Sequence, residues 1–231
     1  KLFFSTKLLQ IQKNLKTGTS SIINVGKFKE HVIFAYRGAN NKIELSQSVI
    51  KKINTPWVYL TSLSGNFKPG LNRLFDHCAK KGCQIAWNPG TNQLKLGLKG
   101  LAKYMKRTAV FDVNRDEALE LVMSVKGKDT KDNIRNILKF LHQYGQRLTV
   151  ITDGPKGAYM YDGKKMYFKA ALKRKGIHTT GAGDSFGSGL TAGLIKYNWD
   201  LEKSLKLGVL NSNSVIMKIG AQEGLLTAKD L

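Results

Sequence analysis

The sequence alternates short β-type runs with amphipathic helical runs, and this alternation limits the possible folds more than any other feature. Four short apolar runs are typical of buried strands: residues 57–60, 84–87, 108–113 and 148–151. Helical spacing of apolar residues occurs between or after them, at residues 69–81, 99–105, 116–125 and 129–144. Repeated strand–helix units predict an α/β fold, in which a mostly parallel sheet carries helices on both faces.

The N-terminal part of the chain departs from this alternation. Residues 7–15 show an apolar pattern compatible with the end of a helix. Two β-rich runs within residues 19–36 lie on either side of residues 26–29 (GKFK), and together they predict a β-hairpin. We therefore divide the chain into residues 1–45, with the helix end and the hairpin, and residues 46–231, which form the α/β core.

The C-terminal part is predicted to add a second hairpin and further helices. Residues 158–161 and 165–168 are β-type runs around Asp162 and Gly163, a pair that favours a tight turn. After residue 184 we expect two or three helices. Small residues in the first one, at positions 187, 189, 192 and 193, would let it approach its neighbours closely.

Two broad classes of protein are not expected from the composition. No run of about 18 apolar residues occurs, so no membrane-spanning segment is predicted. The two cysteines, Cys78 and Cys83, lack the C-x-x-C spacing and the neighbouring ligands of a zinc site. We interpret them as free thiols of a reducing compartment, which predicts a cytoplasmic location.

The net charge of +22 bears on possible partners. Strong basicity can indicate a nucleic-acid partner, but proteins that read base edges use mainly Arg, and only seven of the 38 basic residues are Arg. We interpret the scattered lysines as a solvated surface, so nucleic acid is not the expected partner, although the charge leaves it open. Such a surface also attracts anionic nucleotides and phosphosugars.

Residues 179–184 (TTGAGD) are the most informative segment for chemistry. Gly181 and Gly183 can adopt conformations closed to other residues, so that their amides point into one cavity. The amides of a helix that starts here add partial positive charge, and these donors together suit a transferring phosphoryl group. Asp184 could accept the proton of an attacking hydroxyl as general base. The alternative is a turn in which Asp184 is a helix N-cap.

Polar side chains directly follow three of the predicted strands: Asn88, Asn114, and Thr152 with Asp153. In α/β sheets ligands bind beyond the carboxyl ends of the strands, so these residues lie where a site is expected. Taken alone, Asn114 and Glu117 also have a structural alternative, as the N-cap and a first-turn acid of a helix.

Several segments in order form a larger pattern. Residues 114–117 (NRDE), 152–157 (TDGPKG) and 179–189 (TTGAGDSFGSG) resemble the N-x-x-E motif, the phosphate loop and the C-terminal signature of the ribokinase-like (PfkB) family of carbohydrate kinases. Three further places resemble that family's mid-chain hairpin, a loop after a core strand and its C-terminal stretch: residues 17–20 with 36–41, residues 88–90, and residues 218–221. The resemblance runs from about residue 10 to the end and implies a ribokinase-like α/β fold with a partial β lid.

The resemblance implies a role for each matching residue. Asp184 would activate the acceptor hydroxyl. Three residues would supply the anion hole: Gly181, Ala182 and Gly183. Asn114 and Glu117 would organise Mg²⁺, its waters and the phosphates, with Glu117 acting on the metal through water, in keeping with the oxygen ligands and retained waters that Mg²⁺ prefers.

The same resemblance places ATP along a second set of residues. Three would lie along the nucleotide phosphates: Thr152, Gly154 and Gly157. Asn211 matches the position near the adenine, and Asn213 is close enough to leave that choice open. Lys156 is interpreted as a solvated loop lysine, because no G-x-x-x-x-G-K-[ST] motif is present.

Two departures from the family pattern affect what the resemblance implies. Family members carry a further N-terminal part before the hairpin, with the first strands, a Gly-Gly sugar-binding motif and part of the lid. Its absence here indicates a fragment or a truncated relative. The position before Thr179 is usually an Asp that helps to hold a monovalent cation; here it is His178, which leaves potassium activation open.

We therefore expect transfer of the ATP γ-phosphoryl group to a hydroxyl of a sugar, a sugar-like molecule or a nucleoside. Relatives often dimerise through the lid, so residues 17–37 are the expected surface of a homodimer. The alternative is a non-catalytic, kinase-like basic module that binds nucleic acid or an assembly partner. The absent N-terminal part, His178 and the net charge favour it. Asp184, Asn114 and Glu117 favour the enzyme.

Overall fold

The computed structural model describes residues 5–25, 30–172 and 176–230, and it forms two compact units. The first unit comprises Lys1–Pro56 and Ser62–Cys83, and the second comprises Trp57–Thr61 and Gln84–Leu231. The boundary after residue 45, which the sequence predicts between the hairpin region and the α/β core, stays a prediction.

The first unit contains a hairpin and two helices: β1 (Thr19–Val25), β2 (Glu30–Tyr36), α1 (Gln47–Ile50) and α2 (Lys68–Lys81). The two strands are antiparallel, with Thr19 opposite Tyr36 and Ile22 opposite Ile33. Their β-branched and aromatic residues suit a pleated pair. The predicted hairpin is confirmed, while its predicted turn at residues 26–29 lies outside the described residues.

The predicted helix end at residues 7–15 is wrong, because this segment forms turns. Its apolar side chains share no buried face: Leu9 and Ile11 are 66% and 80% exposed. Gln10 instead pairs with the backbone of Glu44, donating to its carbonyl at 2.7 Å and accepting from its amide at 2.9 Å. A side-chain amide that imitates strand pairing therefore holds this segment, where helical spacing alone suggested a packed helix.

The second unit is built on a six-stranded sheet: β3 (Trp57–Leu60), β4 (Gln84–Trp87), β5 (Val110–Asn114), β6 (Leu148–Thr152), β7 (Ala158–Tyr161) and β8 (Met166–Lys169). The strands lie side by side in chain order. The first four are parallel, and the last two form the predicted antiparallel hairpin at the edge. The mostly parallel sheet expected from the alternating pattern is confirmed.

Helices flank this sheet: α3 (Thr91–Leu94), α4 (Gly97–Met105), α5 (Arg115–Lys126), α6 (Ile134–His142), α7 (Ala182–Lys196) and α8 (Leu201–Val215). The predicted helix at residues 129–144 is shorter than expected and begins only at Ile134. The reason is a cap, because the side chain of Asn133 accepts a hydrogen bond from the amide of Asn136 at 3.1 Å. No helix in the described part of the chain is long and apolar enough to cross a membrane.

Helices α7 and α8 pack on one face of the sheet through small and apolar residues. Phe186, Leu190 and Leu194 of α7 join the buried cluster that also contains strand residues. Gly193 permits the close approach of the two helices, because a Cβ there would lie 2.7 Å from the Cα of Ser204. The small residues predicted to bring this helix near its neighbours therefore do so, and they place the N-terminus of α7 at the carboxyl edge of the sheet.

Candidate functional site

The carboxyl ends of the parallel strands bring polar residues together. Asn114 ends β5 and Thr152 ends β6, and the two lie opposite each other in the ladder. Asn88 directly follows β4, and its side-chain amide donates to the backbone carbonyl of Asp112 at 2.9 Å. These residues occupy the edge at which open α/β sheets bind ligands.

Helix α7 begins at a residue that only glycine suits. Gly181 holds the N-cap position with a φ of 81°, in the left-handed region. A Cβ there would lie 2.7 Å from the carbonyl oxygen of Ala221. Backbone strain and lack of space both exclude a side chain, so Gly181 sets the entry into the helix.

The first turn of α7 provides amide donors at an open position. Its first helical bond starts at the amide of Ser185, so the three preceding amides lack a partner one turn earlier. The Ala182 amide donates to the carbonyl of Thr179 at 3.2 Å. The next two amides, beginning with Gly183, point out of the positive end of the helix. An added Cβ at Gly183 would meet no atom within 4 Å among the described residues, so an anion has room there.

Asp184 is the third residue of α7, and its side chain is exposed. The N-cap is Gly181, which excludes the alternative in which Asp184 caps the helix. Within residues 5–25, 30–172 and 176–230, no hydrogen bond or ion pair involves its carboxylate. A carboxylate in this position is available to accept a proton from a bound hydroxyl.

The start of α5 is closed by a capping box. The side chain of Asn114 accepts from the Glu117 amide at 2.9 Å, and the Glu117 carboxylate accepts from the Asn114 amide at 2.9 Å. The structural alternative considered for this pair is therefore present in the fold. Burial raises the pKa of Glu117, and the hydrogen bond from Asn114 opposes that shift. The second carboxylate oxygen of Glu117 remains for a water or a cation.

The loop after β6 is a tight turn stabilised by its own backbone. The amide of Asp153 donates to the carbonyl of Gly157 at 2.8 Å, and the amide of Gly157 donates to Gly154 at 3.1 Å. Gly154 and Gly157 have φ of 49° and 116°. A Cβ at Gly157 would collide with the carbonyl of Lys169, whereas one at Gly154 would meet nothing. The predicted phosphate loop is thus fixed on its inner side and open at Gly154.

Asp112 is a buried acid at this site that sequence reasoning missed. It is 3% exposed, and neither its carboxylate oxygens nor the Tyr59 hydroxyl has a hydrogen-bond partner in the described part of the chain. Both groups lie against Gly187, where a Cβ would come 3.1 Å from Asp112 Oδ2. Burial raises the pKa of Asp112, and the charges of Glu117 and Asp184 raise it further. The available signal was one acid inside the otherwise apolar run at residues 110–113 (VFDV).

Asn211 is buried and braces the two helices. Its Nδ2 donates to the carbonyl of Ser185 at 2.7 Å, and its Oδ1 accepts from the amide of Leu226 at 2.9 Å. Asn213, the other residue considered, donates to Val209 of its own helix at 2.7 Å. Asn211 therefore links α8 to the first turn of α7, and its position near an adenine stays a prediction.

His178 connects the segment before α7 to the segment after α8. Its Nε2 lies 2.8 Å from the amide nitrogen of Gly220, and its Nδ1 lies 3.2 Å from that of Thr180. A neutral imidazole accepts at only one nitrogen, and the shorter contact indicates Nε2 as the acceptor. The ring thus joins two loops at a position where a carboxylate would instead favour a cation.

The carboxyl edge of the sheet combines the exposed carboxylate of Asp184, the amides at the start of α7, the glycine turn after β6 and the half-buried carboxylate of Glu117. Such donors suit a multiply charged anion, and the carboxylate suits a hydroxyl that must lose its proton. Within the described residues no cluster of three or more His, Cys, Asp or Glu side chains could hold a metal ion.

Comparison with known proteins identifies related sequences. The model of a family described as "pfkB family carbohydrate kinase" matches residues 5–228. An ATP-dependent 6-phosphofructokinase of Thermoanaerobacterium thermosaccharolyticum is 30% identical over 195 residues, covering 80% of this chain and 58% of that protein. A cytidine kinase of Thermococcus kodakarensis is 31% identical over 151 residues, covering 64% of this chain and 51% of that protein. The chain thus spans less than two thirds of either relative.

Two solved structures show the same fold. A ribokinase from Cryptococcus neoformans in complex with ADP superposes with a TM-score of 0.78 at 22% identity, covering 95% of this chain and 71% of that one. A nucleoside kinase from Burkholderia thailandensis in complex with inosine gives a TM-score of 0.76 at 17% identity, covering 94% and 68%. The α/β architecture predicted from the sequence is therefore confirmed.

Proposed function

The chain belongs to the pfkB family of carbohydrate kinases, and from this membership we propose that it transfers the γ-phosphoryl group of ATP to a hydroxyl of a sugar or nucleoside. The observation that carries the proposal is Asp184, exposed beside the donor amides at the start of α7 and without a structural partner in the described chain. The similarity to an ATP-dependent 6-phosphofructokinase, a ribokinase and a cytidine kinase supports this class of acceptor. The alternative of a non-catalytic basic module gains no support from these relatives.

In the proposed reaction Asp184 takes the proton of the acceptor hydroxyl as that oxygen attacks phosphorus. Negative charge that spreads over the transferring group would be met by the amides at the start of α7, with Gly183 leaving space for it. The amide of Ala182 already donates to Thr179, so it would join the anion hole only with a small shift of that loop. The helix dipole adds to the same stabilisation.

ATP and Mg²⁺ are part of the proposal. Thr152, Gly154 and Gly157 would lie along the phosphates, since the loop is held from within and open at Gly154. Glu117 would reach Mg²⁺ through water with its second carboxylate oxygen, next to Asn114. When bound, Mg²⁺ would neutralise charge on the phosphates. The carboxylate and amide oxygens of Glu117 and Asn114 suit Mg²⁺, which prefers oxygen ligands and keeps several waters.

A monovalent cation is not part of the proposal. The position implied by the family resemblance holds His178, whose ring bonds to the backbone amide of Gly220. An imidazole in contact with an N–H group offers no site to K⁺, which prefers oxygen ligands. We therefore infer that this chain works without potassium activation.

Two further properties are proposed on separate grounds. One face of the two-stranded sheet of the first unit exposes Ile23, Val32 and Phe34, at 52%, 49% and 62%, which supports a homodimer that buries these side chains. Neither Cys78 nor Cys83 forms a disulfide in the described part of the chain, which supports a reducing, cytoplasmic location.

The test of the proposed function is ADP release from MgATP with a panel of sugars, sugar phosphates and nucleosides. We expect turnover on at least one acceptor, equal in K⁺ and in tetramethylammonium buffers, and its loss in Asp184→Asn. Turnover retained in Asp184→Asn would exclude Asp184 as the base. A folded chain that binds no MgATP would exclude the kinase proposal altogether.

A further inference from the structure

Arg115, the first residue of α5, joins two separate segments of the second unit. Its Nη1 donates to both carboxylate oxygens of Asp153, at 3.1 and 3.3 Å. Its Nε and Nη2 donate to the two oxygens of Asp132, at 3.1 and 2.8 Å. All three nitrogens of one guanidinium are therefore used, and the two acids raise its pKa further.

This arrangement is unexpected for two reasons. The chain has only 16 acidic residues against 38 basic ones, yet two acids converge on a single Arg. A cation at the N-terminus of a helix also opposes the helix dipole, so the position by itself disfavours Arg115. The two ion pairs offset this unfavourable position, and they tie the segments that carry Asp132 and Asp153 to the start of α5.

The link connects the two elements assigned to the nucleotide. Arg115 is covalently next to Asn114, which caps α5 and bonds to Glu117. Asp153 directly follows Thr152 and lies in the turn that closes on Gly157. The backbone ladder between β5 and β6 ends at the pair Asn114 and Thr152. Beyond that pair, the Arg115–Asp153 contact is a side-chain continuation of the ladder.

The second acid orients the first contact. Asp132 lies in the connection before α6 and binds the outer side of the guanidinium, so that Nη1 is directed at Asp153. Lys156 also approaches Asp153, but at 3.6 Å and with its side chain 65% exposed. The side chain of Asp153 is only 13% exposed. Arg115 is its closer partner, because Nη1 lies 3.1 Å from Asp153 Oδ2. Only the planar fork of Arg can serve both acids at once, and Lys would lose one of them.

We propose that Arg115 is a positioning residue that fixes the phosphate loop at residues 152–157 against the start of α5, acting through Asp153. The proposal rests on the proposed function, because it assigns these two elements to the phosphates and metal of MgATP. Arg115 touches no reacting atom in this scheme. It sets the separation between the loop glycines and the Asn114–Glu117 pair before the nucleotide binds, which lowers the cost of ordering them on binding.

The first test is calorimetric titration of the chain with MgATP. We expect Arg115→Lys to weaken MgATP binding about tenfold, the range seen when a residue that orients a ligand-holding group is lost. Asp153→Asn should weaken it similarly, and the double variant should be no weaker than either single one, since both remove the same contact. Arg135→Lys is the matched control, because Arg135 is exposed on α6.

The second test is hydrogen exchange of the amides of residues 153–157 without nucleotide. We expect faster exchange in Arg115→Lys and no change in Arg135→Lys. Faster exchange with unchanged MgATP affinity would overturn the proposal, because the link would then be structural only. Unchanged exchange would overturn it as well. If the unaltered chain binds no MgATP, the proposed function fails first, and the exchange measurement still reports whether Arg115 holds the loop.

Discussion

The two helix N-termini at the carboxyl edge of the sheet differ in how their polar groups are used. At the start of α5, Asn114 and Glu117 satisfy each other in a capping box. At the start of α7, Gly181 caps without a side chain, and Asp184 has no partner in the part of the chain that the structure describes. The first terminus is stable by itself, whereas the second leaves donors and a carboxylate exposed.

This difference teaches how strongly each motif argues for function. The N-x-x-E pattern has a structural explanation that is realised in the fold, so its presence alone says little about catalysis. Asp184 in the Gly-Ala-Gly-Asp pattern neither caps α7 nor has a partner in the described part of the chain, so a favourable interaction with the helix dipole is the one structural role left to it there. Polar groups without a local structural partner are expected at functional sites. Asp184 is therefore a stronger indicator of function than the Asn114–Glu117 pair.

The largest effect is expected at Asp184, where function should separate from stability. Asp184→Asn should lower kcat about a thousandfold through loss of the general base, and leave the melting temperature unchanged. Steady-state turnover and thermal unfolding of the same samples check this. Glu202→Gln is the control for turnover, since it removes a first-turn acid from α8 together with its exposed ion pair to Lys165, and it should leave kcat unchanged. A large fall in melting temperature for Asp184→Asn would show that Asp184 has a structural role.

A second prediction concerns Asp112, which lies between the two termini. Asp112→Asn should stabilise the chain at pH 7 by about 2 kcal/mol, because it removes a buried carboxylate that lacks a partner in the described chain. This corresponds to roughly 5 °C in melting temperature. Tyr59→Phe, which removes the neighbouring buried hydroxyl, should give a smaller gain.

The raised pKa of Asp112 decides how this gain in stability changes with pH. Burial raises the pKa of Asp112 in the folded protein above its ordinary value of 3.8, so the folded state holds a proton that the unfolded chain has lost. The stability of the unaltered chain therefore falls as pH rises from about 4 towards the folded pKa. The advantage of Asp112→Asn should grow over the same range and vanish near pH 4. An advantage that is constant with pH would contradict the raised pKa.

A third prediction tests whether Asn114 does more than cap a helix. Asn114→Ala should cost about 1 kcal/mol of stability, and so should Asn133→Ala, which removes the equivalent cap of α6. Only Asn114→Ala should weaken MgATP binding, because only that cap belongs to the proposed nucleotide site. Chemical denaturation and MgATP titration distinguish the two. Equal MgATP affinity in both variants would reduce Asn114 to a structural cap.

The smallest effect is expected at His178, near the α7 terminus. The unaltered chain should turn over at the same rate in K⁺ and in tetramethylammonium, and His178→Asp should make turnover rise with K⁺. The reason is that a carboxylate replaces a ring that now accepts from the amide of Gly220. Rate measurements across a K⁺ titration check this. Potassium activation of the unaltered chain would contradict the inference.

Parts of the candidate site are visible in the sequence because they are local, and their roles stay predictions. Asn114 and Thr152 lie at the ends of predicted strands, and the glycines around Asp184 belong to one contiguous motif. Such short patterns can be recognised directly in the sequence. The helix end at residues 7–15 was wrong because its outcome depended on Gln10 and Glu44, which are far apart in the chain. The start of α6 was wrong for a local reason, an N-cap at Asn133 that the apolar pattern hid.

What the sequence determined by itself was the order of strands and helices, since apolar spacing and glycine turns act within a few residues. The tertiary structure alone decided which polar groups meet. It buried Asp112 beside Tyr59 under Gly187, and it brought Asp132 and Asp153 to Arg115. Such contacts join residues that are distant in the sequence. They depend on how the fold brings strands and helices together, so the spacing of residues along the chain does not predict them.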